Sequence, residues 1–267
     1  MTHARLRMRA AAAILGLLLF VLARPALAEG PKFKVDPFWP KPLPNNWIIG
    51  QVGGMAIDAN DNIWVFQRPR SLTPDEKGAA LKPPRSKCCV PAPSVLVFNQ
   101  AGDVIKAWGG PGDNQGYDWP AQEHSILVDN KGFVWLSGHG KDDSMVLKFT
   151  TDGKFVKQLG RRGPLTSSID LTQFGEVGGF AFDAAANEIY AADGYGNHRV
   201  AVLDADTGAV KRIWGAYGKP PTDQDLPKYN PDSPQFGNPV HCIGLAHDGL
   251  VYVCDRQNDR IQVFRKD

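Results

Sequence analysis

The sequence predicts an all-β fold, a β-propeller built of four-stranded antiparallel blades. Three observations carry this. The chain repeats itself: "GGMAIDANDNIWVFQR" from Gly53, "HSILVDNKGFVWLSG" from His124, "GGFAFDAAANEIYAADG" from Gly178 and "HCIGLAHDGLVYVCDR" from His241 share one design. Each is an alternating apolar strand, a polar Asp/Asn/Gly turn and a second alternating strand. A further pair follows: "SVLVFNQAGDVIKAWGG", "MVLKFTTDGKFVKQLGRRG" and "RVAVLDADTGAVKRIWGAYG" read strand, turn, strand, Gly. The unit is about 40–45 residues, the size of one propeller blade. Finally, 28 Gly and 21 Pro favour a turn-rich chain, and past the N-terminus no stretch keeps a 3.6-residue apolar period.

Taken in order, the chain opens on a targeting segment. "MTHARLRMR" carries Arg5, Arg7 and Arg9, "AAAAILGLLLFVLA" is a short apolar run, and "ALA" at 26–28 is a small-x-small cleavage motif. Residues 1–28 therefore read as a secretory signal peptide. The rival reading, a membrane anchor, wants about 20 apolar residues, more than this run supplies. The mature chain is expected to be exported, periplasmic or secreted, with no membrane association after cleavage. Residues 29–267 read as a partial propeller. The first unit carries a Pro-rich basic insertion over residues 68–93, and a second long loop precedes the fourth unit. Both are expected where blade-connecting loops meet the ring centre. Alternation along the strands predicts one buried face and one pointing away.

By count there are three complete blades and three strands of a fourth. "RIQVFRKD" ends where earlier units continue into a turn. A ring needs its last blade to meet its first. Two resolutions present themselves: residues 31–51 supply the missing strand, or the chain is a shortened version of a longer propeller. The second is the expectation.

The composition is that of an ordinary globular chain. With 43% hydrophobic residues it can bury a core, and a net charge of +2 gives no argument for nucleic acid or an anionic membrane. The four cysteines, Cys88, Cys89, Cys242 and Cys254, lack the CxxC spacing of a zinc-thiolate site. An exported chain permits disulfides. Cys242 and Cys254 flank a hairpin turn and could face each other, whereas Cys88 and Cys89 could pair only as neighbours or elsewhere.

His124 and His241 stand immediately before the innermost strand of their units, where a propeller faces its channel. Two imidazoles converging there suit a metal; the bland alternative is hydrogen bonding to neighbouring loops. The matching place in the third unit is Val177 or Gly178. His139, His198 and His247 read as solvated loop residues. Asp193, Asn197, Asp255 and Asn258 read as turn stabilisers, with Arg199 and Arg260 pairing to carboxylates. Arg68, Tyr195 and Arg256 fit that frame less easily. In a flat hairpin the end of strand two is expected to lie away from His124 and His241, with long side chains reaching back over the channel.

"DGYGNHRVAVLD" and "DRQNDRIQVF" resemble NHL repeats. The chain from about Trp47 to Phe264 more specifically resembles the peptidyl-α-hydroxyglycine α-amidating lyases, through "GQVGGMAID", "VFQR", "EHSILVD", "IYAADGYGN" and "PVHCIGL…VCDRQNDRIQ" in order. The resemblance implies a six-bladed propeller, of which about four blades are present. It implies zinc held by His124 and His241, calcium held by the backbone carbonyls of Met55 and Ile126, and Arg68, Tyr195 and Arg256 around the substrate. The implied reaction is C–N cleavage of a peptidyl-α-hydroxyglycine to a peptide amide and glyoxylate. Zinc would act on the substrate hydroxyl, Tyr195 as base, and an Arg fork on the carboxylate. The family's third zinc His and a calcium Asp belong to a last blade that is not in this sequence. Full activity is therefore open.

Two other functions compete. One is a non-catalytic exported propeller that binds a ligand or a protein partner, since fold does not fix function. The other, a calcium sugar-lactone hydrolase, would want acidic channel residues where this chain has His and Arg.

Overall fold

The computed structural model describes residues 30–112, 115–224 and 229–266. The signal-peptide reading of residues 1–28 falls outside them. Contacts divide the chain into Met1–Phe38 and Trp39–Asp267. The described part of the first unit holds no helix or strand; the Phe38 amide donates to the Asp36 carboxylate at 2.9 Å.

The second unit holds four blades. Blade one is β2 (Gln51–Ile57), β3 (Ile63–Arg68), β5 (Val95–Phe98) and β6 (Val104–Trp108), paired in that order. Blade two is β7 (Glu123–Val128), β8 (Phe133–Gly138), β9 (Met145–Thr150) and β10 (Phe155–Gly160). Blade three is β11 (Val177–Asp183), β12 (Glu188–Asp193), β13 (Arg199–Asp204) and β14 (Val210–Trp214). Blade four has three strands among the described residues, β15 (Val240–Leu245), β16 (Leu250–Asp255) and β17 (Arg260–Arg265). All pairings within blades are antiparallel. Residues 31–51 do not add a strand to blade four. Their short strand β1 (Trp47–Ile48) pairs in parallel with β4 (Val90–Pro91), the return of the insertion.

The turns explain why the strands start where they do. Asp58 accepts from the Asn60 and Asn62 amides and from Trp64 Nε1 on the next strand. Asp129 does the same with Lys131, Phe133 and Trp135. In blade four Asp248 takes the Leu250 amide and the Tyr252 hydroxyl. One carboxylate thus satisfies the turn amides and orients an aromatic ring of strand two.

Alternation predicted one buried face per blade. The structure differs: β12 is buried at every residue, and β8 at every residue but its first. The reason is the sandwich. Trp64, Phe66 and Val97 of blade one pack against Leu136, Leu147 and Phe149 of blade two. Trp135 and Val146, on the other face of blade two, pack against Ile189 and Ala201 of blade three. Tyr190 and Val202 then meet Val251 and Val253 of blade four. The outer face of blade one is covered by Trp39, Leu43, Trp47 and Ile49. The far face of blade four is not covered among the described residues, with Ile261 63% and Val263 49% exposed. No helix among the described residues is long and apolar enough to cross a membrane.

Buried polar locks tie loops to blades. Asp193 accepts from Arg199 Nε at 2.7 Å, Asn197 Nδ2 at 2.9 Å and the Gly175 amide. Asp255 repeats this with Arg260, Asn258 and Gly237. These six side chains are the turn stabilisers and ion pairs the sequence pattern predicts. The cysteines pair as Cys88–Cys89 and Cys242–Cys254, the latter directly opposite on β15 and β16 with Cα atoms 4.9 Å apart.

Candidate functional site

The site is built by a repeated irregularity. Each innermost strand slips one residue near its start: between Val52 and Gly54, Glu123 and Ser125, Val177 and Gly179, Val240 and Cys242. The extra residues are Gly53, His124, Gly178 and His241. A β-bulge re-aims the side chain it carries, so His124 and His241 leave the ladder together. The two glycines allow their neighbours to come close. A Cβ on Gly53 would lie 2.4 Å from the Glu123 carbonyl, and one on Gly178 would lie 2.7 Å from that of His241. Gly178→Ala is therefore expected to push blade four away from blade three at a cost of about 1–3 kcal/mol, read as a lower urea midpoint.

The ends of the second strands meet these bulges. Antiparallel register sets Gln51 opposite Arg68, Glu123 opposite Gly138, Val177 opposite Asp193 and Val240 opposite Asp255. This corrects the expectation that strand two ends away from the histidines: antiparallel neighbours bring the end of one beside the start of the other. Arg68, Tyr195 and Arg256 accordingly gather with His124 and His241. The His124 ring centroid is 5.5 Å from His241 and 5.2 Å from Tyr195, and Tyr195 is 5.5 Å from His241. The Arg256 guanidinium lies 5.4 Å from the Tyr195 ring centre and Nη1 is 3.4 Å from its hydroxyl.

His139 is the residue the sequence reading missed. It is not a solvated loop group. Its ring stacks on Tyr195 at 4.7 Å and 18°, sits edge-on to His124 at 4.5 Å, and its Nε2 accepts from Arg68 Nη2 at 2.9 Å. A signal was present: His139 and Arg256 each directly follow the last residue of a second strand. His198 is also packed rather than solvated, its amide bonded to Ser168 Oγ and its Nδ1 3.2 Å from the Phe236 carbonyl. His247 is exposed as expected.

Electrostatics keep the imidazoles neutral. Burial pushes His124 down from 6.5 to about 3, helped by the positive field of His139, His241, Arg68 and Arg256. His139 is lowered by burial and by Arg68 and Arg256, and His241 by burial and by Arg256. Between pH 6.5 and about 3 the unfolded chain binds a proton at His124 that the folded chain refuses. Stability from this group is present above pH 6.5 and lost as pH falls. The urea midpoint of the metal-free protein should drop between pH 7 and 5 by more than that of His124→Gln.

Neutral imidazole is the form that binds a metal, and His124 Nε2 is buried with no hydrogen-bond partner among the described residues. In the Nδ1–H tautomer this leaves one unpartnered ring nitrogen that could serve a metal. Among the described residues no three His, Cys, Asp or Glu side chains form a metal-holding group. Met55 and Ile126 lie on adjacent innermost strands, lining with His124 and His241 a channel space of about 240 Å³.

No protein-family model matches the chain. It is 28% identical over 247 residues to NHL repeat-containing protein 3 of Mus musculus, covering 90% of this chain and 58% of that protein. It is 27% identical over 219 residues to the probable peptidyl-alpha-hydroxyglycine alpha-amidating lyase pgal-1 of Caenorhabditis elegans, covering 81% of this chain and 56% of that protein. The chain thus spans a little over half the length of these curated relatives. Among solved structures, a streptogramin B lyase aligns at a TM-score of 0.47 and 17% identity, covering 82% of this chain and 52% of that one.

Proposed function

Starting from a propeller similar to NHL repeat-containing proteins and to amidating lyases, we propose that the His–Tyr–Arg cluster is the site of an exported, zinc-dependent lyase acting on peptidyl-α-hydroxyglycines. One observation carries the reading: a half-buried His124, held neutral, whose buried Nε2 is unpartnered, grouped with His241 and Tyr195 between two arginines. Zinc held by His124 and His241 would supply a Lewis acid for the substrate hydroxyl. Arg256, exposed over Tyr195, would hold the substrate carboxylate by charge-assisted hydrogen bonds. Tyr195 would take the hydroxyl proton as the C–O bond becomes a carbonyl. The C–N electron pair leaves with the amide nitrogen, which gains a proton, so no oxidant is consumed. The carbonyls of Met55 and Ile126 are of the ligand type that suits calcium. The test is glyoxylate release from a synthetic peptidyl-α-hydroxyglycine in the presence of zinc. Release abolished by a chelator is expected; no release at any zinc concentration would overturn the lyase reading.

A second reading is a non-catalytic propeller that binds a carboxylate or protein ligand. It is favoured by the absence of a three-donor metal group among the described residues. Such a protein would bind the carboxylate product without turning over its precursor.

A further inference from the structure

Arg68 ends β3, next to the bulge that carries His124. Three of its five N–H groups donate to protein acceptors, and Nη2 also lies against a ring nitrogen of His124. Nε donates to the Glu123 carbonyl at 2.7 Å and Nη1 to Gln51 Oε1 at 3.2 Å. Nη2 donates to His139 Nε2 at 2.9 Å and lies 3.3 Å from His124 Nδ1. A guanidinium so occupied has little left for a ligand. Its role is internal, and its shortest side-chain contact is His139.

His139 is itself held from behind. Its amide donates to the Gln122 carbonyl at 3.0 Å, and the loop that follows is fixed by Asp143, which accepts from the Ala121, Gln122 and Gly140 amides. The ring therefore projects from an anchored turn. One side stacks on Tyr195 and the edge meets Arg68, so a single imidazole spans groups from blades one, two and three.

We propose that His139 is a positioning residue: its Nε2 fixes the Arg68 guanidinium beside His124 while its ring fixes Tyr195, so that the cluster is set before any ligand arrives. A consequence is a division between the arginines. Arg68 organises the imidazoles, and Arg256 meets the ligand. The kinetic part of this inference rests on the proposed lyase reading; the structural part does not.

Two variants separate the two contacts. His139→Phe keeps a stacking ring and removes the acceptor. His139→Gln keeps an acceptor and removes the ring. The first readout is hydrogen exchange of the Arg68 Nη2–H, the donor to His139 Nε2, assigned by its loss in Arg68→Lys. Exchange about tenfold faster in His139→Phe, and near wild type in His139→Gln, is expected for loss of one charge-assisted bond. Unchanged exchange in His139→Phe overturns the proposal, and equal acceleration in both variants overturns the hydrogen-bond assignment. The second readout is made on the wild-type chain: a through-bond nitrogen coupling between Arg68 Nη2 and His139 Nε2 is expected, and its absence overturns the proposal even if a variant fails to fold. The third is the kinetic split. His139→Phe should lower kcat about tenfold, with His139→Gln partly restored and zinc content unchanged in both. A wild type without lyase activity sinks the lyase reading and leaves the exchange result to decide the role of His139.

Discussion

Arg199→Met should lower the unfolding free energy by about 3–5 kcal/mol, because it strands a buried carboxylate. Both Asp193 and Arg199 are 0% exposed, and their ion pair spans 2.7 Å. Arg199 also donates to the carbonyls of Ser168, Asp170 and Gln173, so it pins the loop leading into β11. Its removal leaves three carbonyls and a carboxylate without their partner. The double variant Asp193→Asn with Arg199→Met should recover part of the loss, since it removes the unpaired charge. The pair Lys41–Asp103, 52% and 48% exposed, is the contrast: breaking it should cost under about 1 kcal/mol. Urea midpoints at unchanged slope measure both. A cost for Arg199→Met no larger than for the exposed pair would mean that the lock does not hold the blade.

Tyr195→Phe should lower kcat about 10²–10⁴-fold with little change in KM, if Tyr195 moves the hydroxyl proton. The substitution is conservative for the fold. The ring keeps its stack on His139, and the hydroxyl's partner in the structure is Arg256 at 3.4 Å. Arg256→Ala should act the other way, mainly raising KM, because it removes a group that would bind substrate and transition state alike. A Tyr195→Phe enzyme with wild-type kcat would remove the base from the mechanism.

Much of this fold is written in local pattern. Three of the four strand–turn–strand units carry a carboxylate at the same turn position, Asp58, Asp129 and Asp183, and the fourth has Ala246 there with Asp248 two residues on, so blade boundaries follow from these turns. The burial of both blade faces does not. Trp135 and Leu136 point in opposite directions along one strand, and only stacking against blades three and one buries both. The site was legible as residue types, His124 and His241 at equivalent places and three polar residues at strand ends. Its geometry was not, because the bulge at each innermost strand is a register event that alternation hides. His139 was lost for a related reason: "SGHG" looks like an open loop, and only the pairing of Glu123 with Gly138 sets it beside His124.

The most direct test is zinc stoichiometry by mass spectrometry on the purified chain, with His124→Ala and His241→Ala measured alongside. About one zinc per wild-type chain, lost in either variant, is the predicted result. No zinc in the wild type after incubation with excess metal would contradict the lyase site and leave a propeller that binds without catalysing.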